Sequence, residues 1–147
     1  MKAIALLGLF ALAAAPAVAQ TISDGDTLKL AGTTYRLNGI DAPEKQQVCA
    51  DGWPAGRLAA DRLAALTQAK AVECEGKGRD RYGRVIAVCK ADGEDIGATL
   101  VREGFAWAFV RYSRDYLAIE QEARSENIGI HAHGCRPAWE WRAEQRR

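Results

Sequence analysis

The 147-residue chain lacks an excess of charge of either sign: 20 Lys and Arg stand against 19 Asp and Glu. A strongly basic chain would point to a polyanionic partner across its whole surface. Here any such affinity must reside in a local patch. The sequence has no Cys-x-x-Cys pair and only two histidines, His131 and His133, so its widely spaced cysteines make a poor zinc site. It has one long apolar run, residues 3–15, which is short for a membrane span. Internal repeats, low-complexity tracts and linker-like segments are absent, which leaves one domain with one core.

The apolar run has a function of its own. Met1-Lys2, the run itself and the small-x-small sequence Ala17-Val18-Ala19 form the pattern of a secretory signal peptide cleaved after Ala19. Its removal takes Lys2 away and brings basic and acidic residues level. The mature chain, residues 20–147, is then expected to be exported and soluble, in the periplasm or secreted. Export places Cys49, Cys74, Cys89 and Cys135 where disulfides form. Four cysteines allow three pairings. Cys74 and Cys89 sit on two strand-like runs either side of a glycine-rich turn, within reach of each other across a hairpin. That favours Cys74–Cys89 and leaves Cys49–Cys135 to close a long loop.

Residues 21–40 read as two or three short strands joined by tight turns at Asp24-Gly25-Asp26 and Ala31-Gly32-Thr33. Residues 44–52 have no period and read as a loop. Pro54 opens a helix with Leu58, Leu63 and Leu66 on its apolar stripe, ending near Gln68. Residues 71–74 are a strand, 76–81 a turn, and 84–89 a strand that is apolar on both faces and so central. Asp95 caps a helix that stops at Gly104. Residues 105–112 are aromatic and irregular, a last helix runs over 114–126, and the tail, 131–147, packs only in part.

Three charged clusters lie beside strands. They are Asp24 with Asp26; Arg36 with Asp41 and Glu44; and Asp80-Arg81-Tyr82-Gly83-Arg84. Each alone fits a solvated turn or an ordinary ion pair. Together they hold hard oxygen donors suited to Ca²⁺, which takes roughly six to eight oxygens. They also hold two arginine forks that match phosphate bidentately and a glutamate able to position or deprotonate water. In-line attack on a phosphodiester needs these parts. One geometric demand follows. Arg36 and Asp41 are five residues apart, which puts them on opposite faces of a regular strand. The chain must therefore turn or bulge, and Gly39 and Pro43 are the residues expected to make it do so.

The order Asp-Gly-Asp-Thr, Tyr-Arg-Leu-x-Gly-Ile-Asp-Ala-Pro-Glu, Asp-Arg-Tyr-Gly-Arg resembles the staphylococcal nuclease (thermonuclease) family. Ala98-Thr99-Leu100-Val101-Arg102-Glu103-Gly104 extends the likeness, which covers residues 21–129. The resemblance implies an α+β, β-barrel-rich fold: a five-stranded OB-fold barrel with three α-helices, over residues 20–130. It implies Ca²⁺-dependent hydrolysis of DNA and RNA to 3′-phosphate ends by a monomer. Carried over by motif, Asp26, Asp41 and the Ala42 carbonyl match the calcium ligands, with Asp24 behind them. Arg36, Glu44 and Arg84 match the catalytic residues, and Tyr82 and Tyr112 the substrate pocket. His131 stands where many members have tryptophan after Gly-Ile, which predicts looser C-terminal packing. Two rival readings are a non-catalytic OB-fold module that binds single-stranded nucleic acid and a disulfide-stabilised structural protein of the envelope.

Overall fold

The first residues alternate and turn sharply, and they form two hairpins: β1 (Gln20–Asp24), β2 (Thr27–Leu30) and β3 (Thr33–Leu37). The computed structural model describes residues 20–147, so the leader expected over 1–19 lies outside the described residues. The chain continues through β4 (Ile40–Asp41), α1 (Ala55–Thr67), β5 (Val72–Arg79), β6 (Val85–Ala91), β7 (Glu94–Asp95) and α2 (Ile96–Arg102). It ends with β8 (Trp107–Ala108), α3 (Leu117–Ser125), a 3₁₀ turn (Gly129–His131) and α4 (Ala138–Gln145). The main sheet runs β1-β2-β3-β6-β5, with β7 on β6, and a two-stranded ribbon joins β4 to β8. The β3–β6 pair is parallel and its neighbours are antiparallel. This mixed α+β arrangement is consistent with an OB-fold.

The doubly apolar 84–89 run is central, paired on both sides as β6. Cys74 stands directly opposite Cys89 across β5–β6, and the two are joined, as are Cys49 and Cys135. Leu28, Leu63, Ile96, Leu100 and Val101 are fully buried and form the centre of the core between sheet and helices. Asp95 caps α2 by accepting from the Ala98 amide at 3.0 Å.

Four elements differ from their sequence reading. The glycine-rich stretch after Cys74 is strand, because β5 runs on to Arg79 and absorbs the glycines in a bulge between Gly76 and Gly78. The turn is displaced to 80–83. The last predicted helix starts at Leu117 rather than 114, since Ser113 caps a turn there by accepting from the Asp115 amide. A fourth helix, α4, forms in the tail. The C-terminal packing is also tighter than His131 suggested. Ile130 and Ala138 are buried with Trp107, and the Trp139 ring meets Trp107 edge-on at 6.1 Å.

Candidate active site

Asp41 ends the β4–β8 ribbon and is buried, opposite Trp107. The turn demanded between Arg36 and Asp41 occurs at Asn38-Gly39, after β3 ends at Leu37. Gly39 takes φ +73, a left-handed conformation that strains other residues. Pro43 follows the turn and takes no part in it. The result is that Arg36 reaches two carboxylates at once. Its Nη1 lies 2.8 Å from Asp26 Oδ2, and its Nη2 lies 3.0 Å from Asp41 Oδ1.

Asp26 comes from the β1–β2 turn, where its amide donates to Asp24 Oδ1 at 3.1 Å. Asp26 Oδ2 also accepts from the Ala42 amide at 2.8 Å, which ties the turn to the segment after β4. Thr27 Oγ1 donates to Asp26 Oδ1 at 3.1 Å and is approached by Arg84 Nη1 at 3.4 Å. Arg84 is held chiefly by Asp80. Asp80 Oδ2 accepts from Arg84 Nε at 2.6 Å, while Asp80 Oδ1 accepts from the amides of Tyr82 and Arg84. Partial burial works against the charge on Asp80, but these donors outweigh it and hold its carboxyl below the usual range.

Glu44 sits on the loop that abuts α1. A Cβ on Gly56 would stand 1.7 Å from the Glu44 carbonyl oxygen, so only glycine lets helix and loop meet. The buried Gln47 fixes that loop. Its Oε1 accepts from the Glu44 amide at 3.1 Å, and its Nε2 donates to the Arg136 carbonyl at 2.7 Å.

The third guanidinium near the site comes from α4. Arg142 Nη2 lies 2.8 Å from Asp41 Oδ2, and its Nη1 lies 2.7 Å from Glu44 Oε1 and 3.2 Å from Asp41 Oδ1. Sequence reading missed Arg142, Thr27 and Gln47, and saw Asp80 only as part of a charged turn. The signal for Arg142 was the disulfide. Cys49 follows Glu44 closely, and its partner Cys135 precedes Arg142 by under two helical turns.

Burial dominates the electrostatics of the cluster. Burial pushes the Asp24 carboxyl up to about 7, and the neighbouring Asp26 charge adds to it. Burial likewise raises Asp41, only partly offset by the Arg142 hydrogen bonds. Burial works against the Arg142 charge, yet its bonds to Asp41 and Glu44 outweigh that and raise its pKa. Among the described residues no three His, Cys, Asp or Glu side chains close into a cage of their own. The donors present are two acidic side chains, Asp26 and Asp41, beside Ala42. They fit an open site for a hard cation that also takes backbone, water or phosphate oxygens.

Tyr82 and Tyr112 stand apart from this cluster, along a cleft they line with Arg36, Arg81 and Arg84. Both rings are exposed, at 73% and 67%. The Arg81 and Arg84 guanidinium groups each lie 5.6 Å from the Tyr82 ring centre. Tyr112 packs at 5.1 Å on Phe109.

The profile of the family described as "Staphylococcal nuclease homologue" matches residues 34–133, which span the Arg36–Glu44 segment and Arg84. The chain belongs to the staphylococcal nuclease family. A family relative from Haemophilus influenzae, "Uncharacterized endonuclease", is 35% identical over 85% of this chain and 71% of its own length. "Micrococcal nuclease" of Shigella flexneri is 34% identical over 82% and 76%. "Succinoglycan biosynthesis protein ExoI" of Rhizobium meliloti is 38% identical over 80% of the chain and 66% of its own length.

Proposed function

We propose that this member of the family is an exported, Ca²⁺-dependent nuclease that hydrolyses DNA and RNA and leaves 3′-phosphate ends. The observation that carries the reading is the continuous charged array Arg84–Thr27–Asp26–Arg36–Asp41, with Glu44 at its rim. Four chain segments meet there, and a solvated turn would not bring them together. The relatives named as nucleases and the two disulfides, which suit an oxidising compartment, support it.

Asp26, Asp41 and the Ala42 carbonyl would hold the cation, with the half-buried Asp24 behind Asp26. The chemistry that bound Ca²⁺ supplies is Lewis-acid polarisation of a phosphate oxygen. Glu44, a third exposed at its side chain, orients a water molecule and accepts its proton as the oxygen attacks phosphorus. Arg36 and Arg84 hydrogen-bond to the phosphoryl oxygens as charge builds on them, and Arg84 also reaches the departing 5′-oxygen. Asp80 aims Arg84. Tyr82 and Tyr112 flank the cleft and take the nucleoside adjoining that phosphate, stacking on the base or bonding to the phosphate.

Digestion of single- and double-stranded DNA and RNA with Ca²⁺, Mg²⁺ or EDTA, followed by analysis of product ends, tests the proposal. Cleavage with Ca²⁺ alone, giving 3′-phosphates, is the expected result. Cleavage that persists in EDTA refutes the metal assignment, and binding without cleavage makes the protein a nucleic-acid-binding module.

A further inference from the structure

Arg142 occupies the ground on which the proposed cation would act. Its fork spans both oxygens of Asp41 and one of Glu44, three contacts within 3.2 Å. Asp41 is 1% exposed at its side chain and Arg36 already takes Oδ1. Both carboxylate oxygens therefore face a guanidinium. Arg36 and Arg142 already share this carboxylate, and a divalent ion placed on it would meet further repulsion of about 4 kcal/mol per pair of unit charges at 4 Å in an effective dielectric near 20. A cation that coordinates Asp41 has to displace Arg142.

The way α4 is anchored makes that displacement a side-chain movement. The helix is pinned at its start. Cys135 is bonded to Cys49, the Arg136 carbonyl accepts from Gln47, Ala138 is buried, and Trp139 rests on Trp107 and Phe109. Every one of these anchors precedes Arg142, and residues 143–147 beyond it are exposed. Arg142 itself is one-third exposed and carries a long flexible stem. It can swing into solvent while the helix stays docked. Its contacts with Asp41 and Glu44 nonetheless recur at high local concentration, because the disulfide holds the helix beside the loop that bears Glu44.

We propose that Arg142 is an intramolecular competitor of the metal: a counter-cation that neutralises Asp41 and Glu44 in the metal-free protein and is expelled when Ca²⁺ binds. The inference rests on the calcium reading above. It adds a device from outside the matched residues 34–133. The latch keeps two buried or half-buried carboxylates compensated before metal arrives. It also raises the calcium concentration at which the site fills, so the protein works where the cation is plentiful.

Calcium binding measured by calorimetry on the full chain, wild type against Arg142→Gln, tests this without reference to activity. The latch predicts a calcium Kd at least about tenfold lower in R142Q, and a larger rise in melting temperature on adding calcium. It also predicts a lower melting temperature than wild type in EDTA, where Asp41 has lost a partner. A second variant, Cys49→Ser with Cys135→Ser, loosens the anchor and should shift the calcium Kd in the same direction by less. Equal or weaker calcium binding in R142Q overturns the latch while leaving the metal site standing. No binding by either protein overturns the calcium reading and the latch with it.

Discussion

Asp80 shows how much a single side chain organises here. It accepts three hydrogen bonds within its own turn, one of them from the Arg84 guanidinium. Replacing it with asparagine keeps the shape but removes the charge that fixes Nε. Cleavage by D80N should fall by roughly tenfold, equivalent to ~1.4 kcal/mol of transition-state stabilisation, and steady-state kinetics should place the loss in kcat. The pH dependence has a definite sign. The Asp80 carboxyl titrates below its ordinary value in the folded protein. Its contribution to stability is therefore complete above about pH 4. It is lost as pH falls through the depressed value. Melting curves recorded down to pH 2 should show a shallower acid decline in D80N than in wild type.

The contact between Arg36 and Asp41 was legible in the sequence. Their separation of five forced a turn, and Gly39 makes it. Arg142 carried no such mark, because its partners lie about a hundred positions away, and no local period or turn chemistry encodes a contact of that range.

At the scale of elements, strands and helices with strong period or punctuation were legible. α1 begins behind Pro54 and stops at Thr67, and α2 sits between the Asp95 cap and Gly104. The two-residue strands β4, β7 and β8 were not read as such, since pairing defines them and no pattern of their own does. β5 was cut short because glycine normally argues for a turn, whereas here it serves a bulge. The two disulfides act on elements of different reach. Cys74–Cys89 closes 15 residues within one hairpin, and Cys49–Cys135 closes 86 and docks α4. On loop-closure entropy their removal costs about 3 and about 4.6 kcal/mol respectively. Denaturant melts of the two serine pairs should rank them in that order, with calcium affinity altered only by the longer-range pair.

For the whole molecule, the even charge balance has a consequence for substrate. Net charge is only +1 for the full chain. On the proposed function, affinity comes from the arginines around the cleft, with Arg36 and Arg84 as the expected phosphate contacts. Two such contacts give a weak salt dependence. Binding of a catalytically silent variant to duplex DNA should fall only roughly tenfold between 50 and 200 mM salt. A drop of a thousandfold or more would require about six phosphate contacts and would contradict the two-contact reading.

The most direct test of the central claim is the single-turnover rate of DNA cleavage at saturating Ca²⁺, wild type against Glu44→Gln. Glutamine keeps the size of the side chain and its place on the loop held by Gln47 and Gly56, but it cannot take a proton. The expected result is a fall of about 10²–10⁴-fold, with calcium affinity, proposed to reside in Asp26 and Asp41, retained. A Glu44→Gln protein that cleaves at the wild-type rate would contradict it.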